Sequence, residues 1–218
     1  MIKRFKPGKK KCSVCGTEFE KDIRMPFKNW CKGECAIAIL KKNREKHEKK
    51  QWSEEKKVMK ENLKKYGDWL KDLEHEINKI VRIIDYGIPC ISCGSNGKPQ
   101  AGHYHSVNSD GTLRYNLHNI HLQDYYCNVP LSGNIHGYDE GLIKNYSREY
   151  WEFVKFGLKN IYHKPLKLSI PEIKTKISIC REIIKELPKI QRTPQERLVL
   201  RELTNYKIGI YGTGFKAI

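Results

Sequence analysis

Cys90-Ile91-Ser92-Cys93-Gly94, Gly102-His103-Tyr104-His105, His118-Asn119-Ile120-His121 and Gln123-Asp124-Tyr125-Tyr126-Cys127-Asn128 follow one another within 39 residues. Around them, residues 88–137 are rich in Gly, Asn, Ser and His, with short β-type runs, which reads as a compact, loop-rich site domain. Five of the eight histidines (His103, His105, His118, His121 and His136) lie here. The flanks are helical. Residues 36–86 hold a single Gly (Gly67) and no Pro, so a helix of roughly 75 Å is expected if it is continuous. Met59, Leu63, Tyr66, Leu70, Leu73, Ile77, Ile80 and Ile84 form a heptad seam along its second half. Gly87 and Pro89 end it. Downstream, Leu142, Tyr146, Tyr150 and Phe153 form an aromatic helical pattern within 139–163. Pro171 opens a helix striped by Ile173, Ile177, Cys180, Ile184 and Leu187, closed by Pro188. Thr193-Pro194-Gln195-Glu196 is a capping box with Pro at the first helical position, so a last helix starts there; the tail from Gly209 is expected to fray. The two stripes can pair within one chain, or the first can pair with itself in a homodimer.

The chain has 218 residues and a net charge of +17, unevenly spread. Residues 86–145 carry 3 basic and 4 acidic groups, against 10 and 4 in 1–35 and 15 and 7 in 146–218. Two basic ends around a near-neutral centre fit an anionic polymer gripped by the flanks, with chemistry in the middle; general solubility is the alternative reading. No apolar run is long enough to span a membrane, and Met1-Ile2-Lys3-Arg4-Phe5-Lys6 is not followed by the apolar core of a secretory signal. The eight cysteines therefore read as metal ligands or free thiols of a reducing cytoplasm. Cys12-x-x-Cys15 and Cys31-x-x-x-Cys35, 15 residues apart, have the spacing of a four-thiolate structural zinc site, with Gly16 suited to the turn. Lys9, Lys10 and Lys11 beside it are expected on phosphates. Cys180, alone on an apolar stripe, reads as a core thiol.

The order of the opening stretch (Cys pair, His-bearing strand, Asn-bearing turn, helix opened by Cys) resembles an HNH, or ββα-metal, nuclease. Phosphodiester hydrolysis needs a base near neutrality, which a histidine supplies, a divalent cation to neutralise growing charge, and an amide to hold the base in place. More specifically, several segments resemble the NinG/Rap family of lambdoid phage recombination nucleases. They are Asn78-Lys-Ile-Val-Arg82-Ile-Ile-Asp85, Pro89–Gly94, Gln100-Ala-Gly-His103-Tyr104, Leu113-Arg114-Tyr115-Asn116, Asn119-Ile-His121-Leu-Gln123, Cys127-Asn128, Leu131-Ser132-Gly133-Asn134 and Asn205–Tyr211. The likeness covers nearly the whole chain. It implies an α+β fold: a small HNH ββα-metal domain embedded between long helices, with an N-terminal four-cysteine zinc module. The segments are 1–35 (zinc module), 36–86 (long helix), 87–145 (nuclease domain) and 146–218 (basic helical region). It implies a Mg²⁺- or Mn²⁺-dependent endonuclease acting on branched DNA such as Holliday junctions and D-loops, in the cytoplasm of a bacterial host.

Carried over residue by residue, the resemblance makes His103 the general base, Asn119 the amide that orients it, and Asn128 a metal ligand in the position of the last HNH histidine. His105, His121 and Asn134 are secondary candidates for the catalytic metal or a phosphate, each with a plain structural role as the alternative. Arg114, Arg197 and Arg201, with the basic C-terminal helices, are expected on DNA. Where the family has a second Cys pair, this chain has Asp124. Cys90, Cys93, Asp124 and Cys127 are expected to form a second zinc site, with His121 as an alternative fourth ligand and no zinc as a third option. A non-catalytic zinc-binding DNA-junction adaptor shares the charge pattern and the zinc module, and an RNA-binding zinc protein shares the charge. Neither explains the nuclease order of His103, Asn119 and Asn128.

Overall fold

The computed structural model describes residues 8–22, 24–108, 111–164 and 166–211; Met1–Lys6 and most of the tail beyond Gly209 lie outside them. The chain divides into two compact units, residues 1–64 and 65–218. In the first, strands β1 (Lys9–Lys11) and β2 (Glu18–Glu20) pair antiparallel and helix α1 (Gly33–Asn62) follows. In the second, helix α2 (Tyr66–Ile84) leads into strands β3 (Pro99–His103) and β4 (Ile120–Asp124), which pair antiparallel with His103 opposite Ile120 and Gln100 opposite Gln123. The short helix α3 (Tyr125–Asn128) follows directly. Helices α4 (Ile135–Asn145) and α5 (Arg148–Glu152), a π turn (Phe153–Gly157), α6 (Leu158–Ile161), α7 (Ile170–Glu186) and α8 (Pro194–Ile208) complete it. The architecture is α+β, two small sheets flanked by long helices.

The stretch 36–86 is two helices, not one. The acid Asp68 caps a new start: its carboxylate accepts the Lys65 amide at 2.9 Å, and Leu63 beside the break is 81% exposed. The seam accordingly stays exposed at Met59, Leu63 and Tyr66 and is buried at Leu73, Ile77, Ile80 and Ile84. There it packs on α7, through Ile173, Ile177, Cys180 and Ile183. The two stripes therefore pair within the chain, α7 covering the seam from Leu73 to Ile84. Cys180 is fully buried, and burial pushes its thiol up to about 12. The capping boxes form as expected: Thr193 takes the Glu196 amide at 3.3 Å while Glu196 takes the Thr193 amide at 2.8 Å, and Ser169 and Glu172 do the same for α7.

The hairpin β3–β4 is covered on both faces. Ala101 and Ile120 join the α2–α7 core, and Gly102 and His121 face Tyr138 of α4, whose hydroxyl donates to the Gly102 carbonyl at 3.0 Å. A buried ion pair locks the layers. Arg201 of α8 donates to both oxygens of Asp85, the residue that ends α2, at 2.6 and 2.8 Å. Asp85 also accepts the Leu122 amide of β4 at 3.0 Å. Arg201 and Asp85 are fully buried, and Arg197, also buried, donates to the Arg192 carbonyl and the Tyr146 hydroxyl. Arg197 and Arg201, expected on DNA, are thus interior: each cation is held where a carboxylate or carbonyls replace its water. The chain beyond α8 is anchored as far as Tyr211, which is buried and donates to the Thr112 carbonyl at 2.7 Å, so fraying does not begin at Gly209.

Replacing Arg201 with Met leaves the buried Asp85 only the Leu122 amide and the more distant Arg197 Nε at 3.9 Å, an expected loss of about 3 kcal/mol in denaturant unfolding. Adding Asp85→Asn is expected to cost less than the sum of the two single changes. Strict additivity would show that the pair does not hold the layers together.

Candidate metal centres and candidate active site

Two cysteine knuckles are built alike. Gly16 and Gly94 adopt φ of +73° and +72°, and their amides donate to the carbonyls of Cys12 and Cys90 at 3.0 and 2.9 Å. A residue with a side chain is strained at such φ values, which is why glycine follows each pair. In the N-terminal unit Cys12, Cys15, Cys31 and Cys35 bring their sulfurs within 4.8 Å of one another. The separations are 3.4 Å (Cys15–Cys31), 3.7 Å (Cys31–Cys35) and 3.8 Å (Cys15–Cys35). Four thiolates at about 2.3 Å from a tetrahedral zinc stand roughly 3.8 Å apart, so the cage fits that ion. Lys9 and Lys11 on β1 are exposed, and Lys10 donates to the Lys28 carbonyl at 3.3 Å.

The second group holds three sulfurs, those of Cys90, Cys93 and Cys127, and can also hold a metal ion. Asp124, expected as the fourth ligand, is not in it: its carboxylate lies over Gly97, where a Cβ would overlap it. Asn134 instead approaches the group, its amide donating to the Cys127 sulfur at 3.5 Å. Helix α4 is seated tightly on this knuckle, because a Cβ on Gly137 or Gly141 would overlap the Ser92 or Ile91 carbonyl.

The nuclease-like residues separate into two groups. His103, at the end of β3, is 11% exposed in its side chain and lines a cavity of about 430 Å³ with Glu74, Asn78 and Arg82 of α2, Lys98, Gln100, and Asn128 of α3. His103 Nε2 lies 2.9 Å from the Arg114 carbonyl, which can only accept. The ring proton therefore sits on Nε2, leaving the lone pair on Nδ1. Burial holds the His103 pKa below the ordinary histidine value; the Arg114 carbonyl and the Glu74 charge pull the other way. Asn128 donates to Gln100 Oε1 at 2.7 Å. Glu74 accepts Arg114 Nε at 2.9 Å and lies 4.0 Å from His103 Nε2. Arg114, expected on DNA, is engaged inside the site. The side-chain oxygen of Asn78 is buried with no partner among the described residues.

Asn119 does not touch the His103 ring. Its oxygen accepts the His105 amide at 2.7 Å, and its nitrogen donates to the carbonyls of His105 and Leu113 at 3.0 and 3.2 Å. It pins the two ends of the loop that presents the Arg114 carbonyl. His105 lies past the end of β3, buried, with Nε2 bonded to the Val154 carbonyl at 2.8 Å, so it does not share the face of His103. His121, fully buried, bonds the hydroxyls of Tyr138 (3.0 Å) and Tyr150 (3.2 Å) and belongs neither to the cysteine group nor to the lining of the His103 cavity. His118 bonds Tyr150 and Glu202. All three are buried and hydrogen-bonded inside the unit. Glu74, Asn78 and Arg82 were missed as site residues because they follow the α2 seam at i, i+4 and i+8, a pattern that reads equally well as a solvated helix face.

Residues 4–191 match the family model described as "Bacteriophage Lambda NinG protein". The chain belongs to the NinG family. It is 33% identical to protein ninG of Escherichia phage lambda over 162 residues, 66% of this chain and 78% of that one. It is 35% identical to protein ninG of Escherichia phage 933W over 160 residues, 66% and 79%, and to protein ninG of Salmonella phage P22 over 131 residues, 53% and 64%. No solved structure matches. Asn205, beyond the matched residues, accepts the Leu117 amide at 3.0 Å and donates to Asn116 at 3.1 Å. Among the described residues of this NinG-family chain, no helix is long and apolar enough to cross a membrane.

Metal analysis of the purified chain should find zinc. The paired change Cys12→Ser and Cys15→Ser should lower the content by one per chain; unchanged content would exclude the four-cysteine cage. A second expectation concerns pH. Burial holds His121 well below 6.5, so the unfolded chain takes up a proton that the folded chain refuses. Stability present above about pH 6.5 is lost as pH falls through that value. The melting temperature should drop between about pH 7.5 and 5.5, less steeply in His121→Gln; an equal slope would assign the effect to other groups.

Proposed function

We propose that this NinG-family chain is a divalent-metal-dependent endonuclease of the HNH, ββα-metal type, acting on branched recombination intermediates of phage DNA. The observation that carries the reading is the meeting of His103, Asn128 and Glu74 around one cavity, on a hairpin followed at once by a short helix. Zinc, in this reading, is structural and sits on the cysteine knuckles.

His103 is the general base. Its Nε2–H is held by the Arg114 carbonyl, and burial keeps the ring neutral near pH 7, so Nδ1 can take a proton from water. Asn119 is a positioning residue: it fixes the loop that carries that carbonyl. Glu74, Asn78 and Asn128 offer carboxylate and amide oxygens suited to Mg²⁺ or Mn²⁺. Such an ion, when bound, supplies positive charge for the phosphate and the leaving oxygen. The side-chain oxygen of Asn78, buried and without a partner among the described residues, is the kind of oxygen that a hard cation satisfies. The basic N-terminal strand and the excess charge of the C-terminal region supply phosphate contacts that do not read sequence.

The test is cleavage of a labelled four-way junction and a matched duplex with Mg²⁺, with Mn²⁺, or with neither. Omitting the ion, rather than chelating it, keeps the cysteine sites loaded. The expected result is metal-dependent cutting of the junction, reduced roughly 10²–10⁴-fold in His103→Ala with DNA binding retained. Glu74→Gln should also cut poorly. Tight junction binding with no cutting under either ion would support the adaptor instead.

A further inference from the structure

Arg82 and Pro99 belong to two cavities at once. One is the cavity of His103; the other, of about 460 Å³, opens on the far side of the same wall. Its volume falls within the roughly 300–1,000 Å³ typical of small-molecule sites. Three of its side chains lack an internal task. The Arg82 guanidinium is half-buried and has no carboxylate or hydrogen-bond partner among the described residues, and burial alone pulls its pKa down. Tyr86, four residues further on, is 48% exposed and lines the cavity. Asp124, left out of the cysteine group, lines the same cavity with its carboxylate lying over Gly97.

A cation, an aromatic face and an acceptor around one cavity match the three parts of a nucleotide. A phosphate would give Arg82 the anion it lacks, and an unstacked base finds a platform in Tyr86. An ionised carboxylate only accepts hydrogen bonds, so Asp124 favours a base with an exocyclic amine, which cytosine, adenine and guanine carry and thymine does not. Because Arg82 is shared, a phosphate it holds lies at the edge of the His103 cavity. We propose that this second cavity receives a single unpaired nucleotide next to the scissile phosphate, extruded at a DNA branch, with Arg82 on its phosphate, Tyr86 stacked on its base and Asp124 selecting an amine-bearing base. The proposal rests on the nuclease reading and deepens it: branch selectivity arises because fully paired duplex offers no base to this cavity. It also gives Asp124 a role of its own where the family has a cysteine.

The test is equilibrium binding of the full chain without added Mg²⁺ or Mn²⁺. The probes are a linear duplex and four-way junctions that carry one extra unpaired nucleotide at the branch point, thymine in one and cytosine in the other. The wild-type chain should prefer the amine-bearing junction. Tyr86→Ala should lose roughly ten-fold or more on it, about the weight of one base–aromatic stack, and little on duplex. Arg82→Ala should behave likewise. Asp124→Asn should keep junction affinity and lose the base preference. Tyr86 is half-exposed, so its variant should melt close to the wild type. Wild-type affinity of both Tyr86→Ala and Arg82→Ala for the junction, or an unaltered preference in Asp124→Asn, would overturn the proposal. The two readings fail separately: cutting with no base preference removes the cavity's role, whereas base-selective binding without cutting under Mg²⁺ or Mn²⁺ removes the nuclease.

Discussion

The larger unit depends on one buried ion pair. Asp85 stands at the end of α2, accepts the Leu122 amide of β4, and takes two hydrogen bonds from Arg201 of α8. Two charges without water are tolerated only when each is neutralised and bonded on most sides, and that demand fixes how three elements meet. The hairpin cannot slide along α2 without breaking the bond to Leu122, and α8 cannot withdraw without stranding Asp85. Glu74, Asn78 and Arg82 are therefore presented to the hairpin at a set height, opposite His103.

The site is held by backbone more than by side chains. The Arg114 carbonyl orients the His103 ring, the Asn119 amide pins the backbone at Leu113 next to it, and the Tyr211 hydroxyl binds the Thr112 carbonyl from the far end of the chain. A neutral histidine ring oriented by a carbonyl keeps one tautomer, so its lone pair is always on the same nitrogen. The cysteine knuckle clamps the other end of the hairpin. Ile91 donates to the Leu122 carbonyl at 2.9 Å, and Gln123 reaches Ser92 and the Gly133 carbonyl, both at 2.6 Å. Departure of Asp124 from the sulfur group leaves that clamp in place, because these bonds do not use its carboxylate.

Local signals were legible. Capping boxes, proline at a first helical turn, the glycine after each cysteine pair and the period of an apolar stripe act over a few residues, and each appears where the sequence indicates it. The helix break before Tyr66 was also written locally, in Asp68, but an acid three residues past an uncapped lysine is a weak mark amid so many charges. His103 and Asn128, singled out by the family resemblance, line one cavity. The roles of Arg197 and Arg201 did not, since a basic residue on a helix looks the same whether it meets phosphate or a buried carboxylate.

What the sequence determined by itself is therefore the starts of the last two helices, the four-cysteine cage, and the residues from which a site can be drawn. Periodicity, capping and ligand spacing are properties of neighbouring residues, and they survive without knowledge of the rest of the chain. Only the tertiary structure decided that Arg201 is matched to a carboxylate 116 residues away, that His105 and His121 are interior, and that α2 contributes Glu74, Asn78 and Arg82 to the wall facing His103. Burial is the reason. The same histidine or arginine is a ligand, a base or a structural donor according to which partners replace its water, and those partners come from segments distant in sequence.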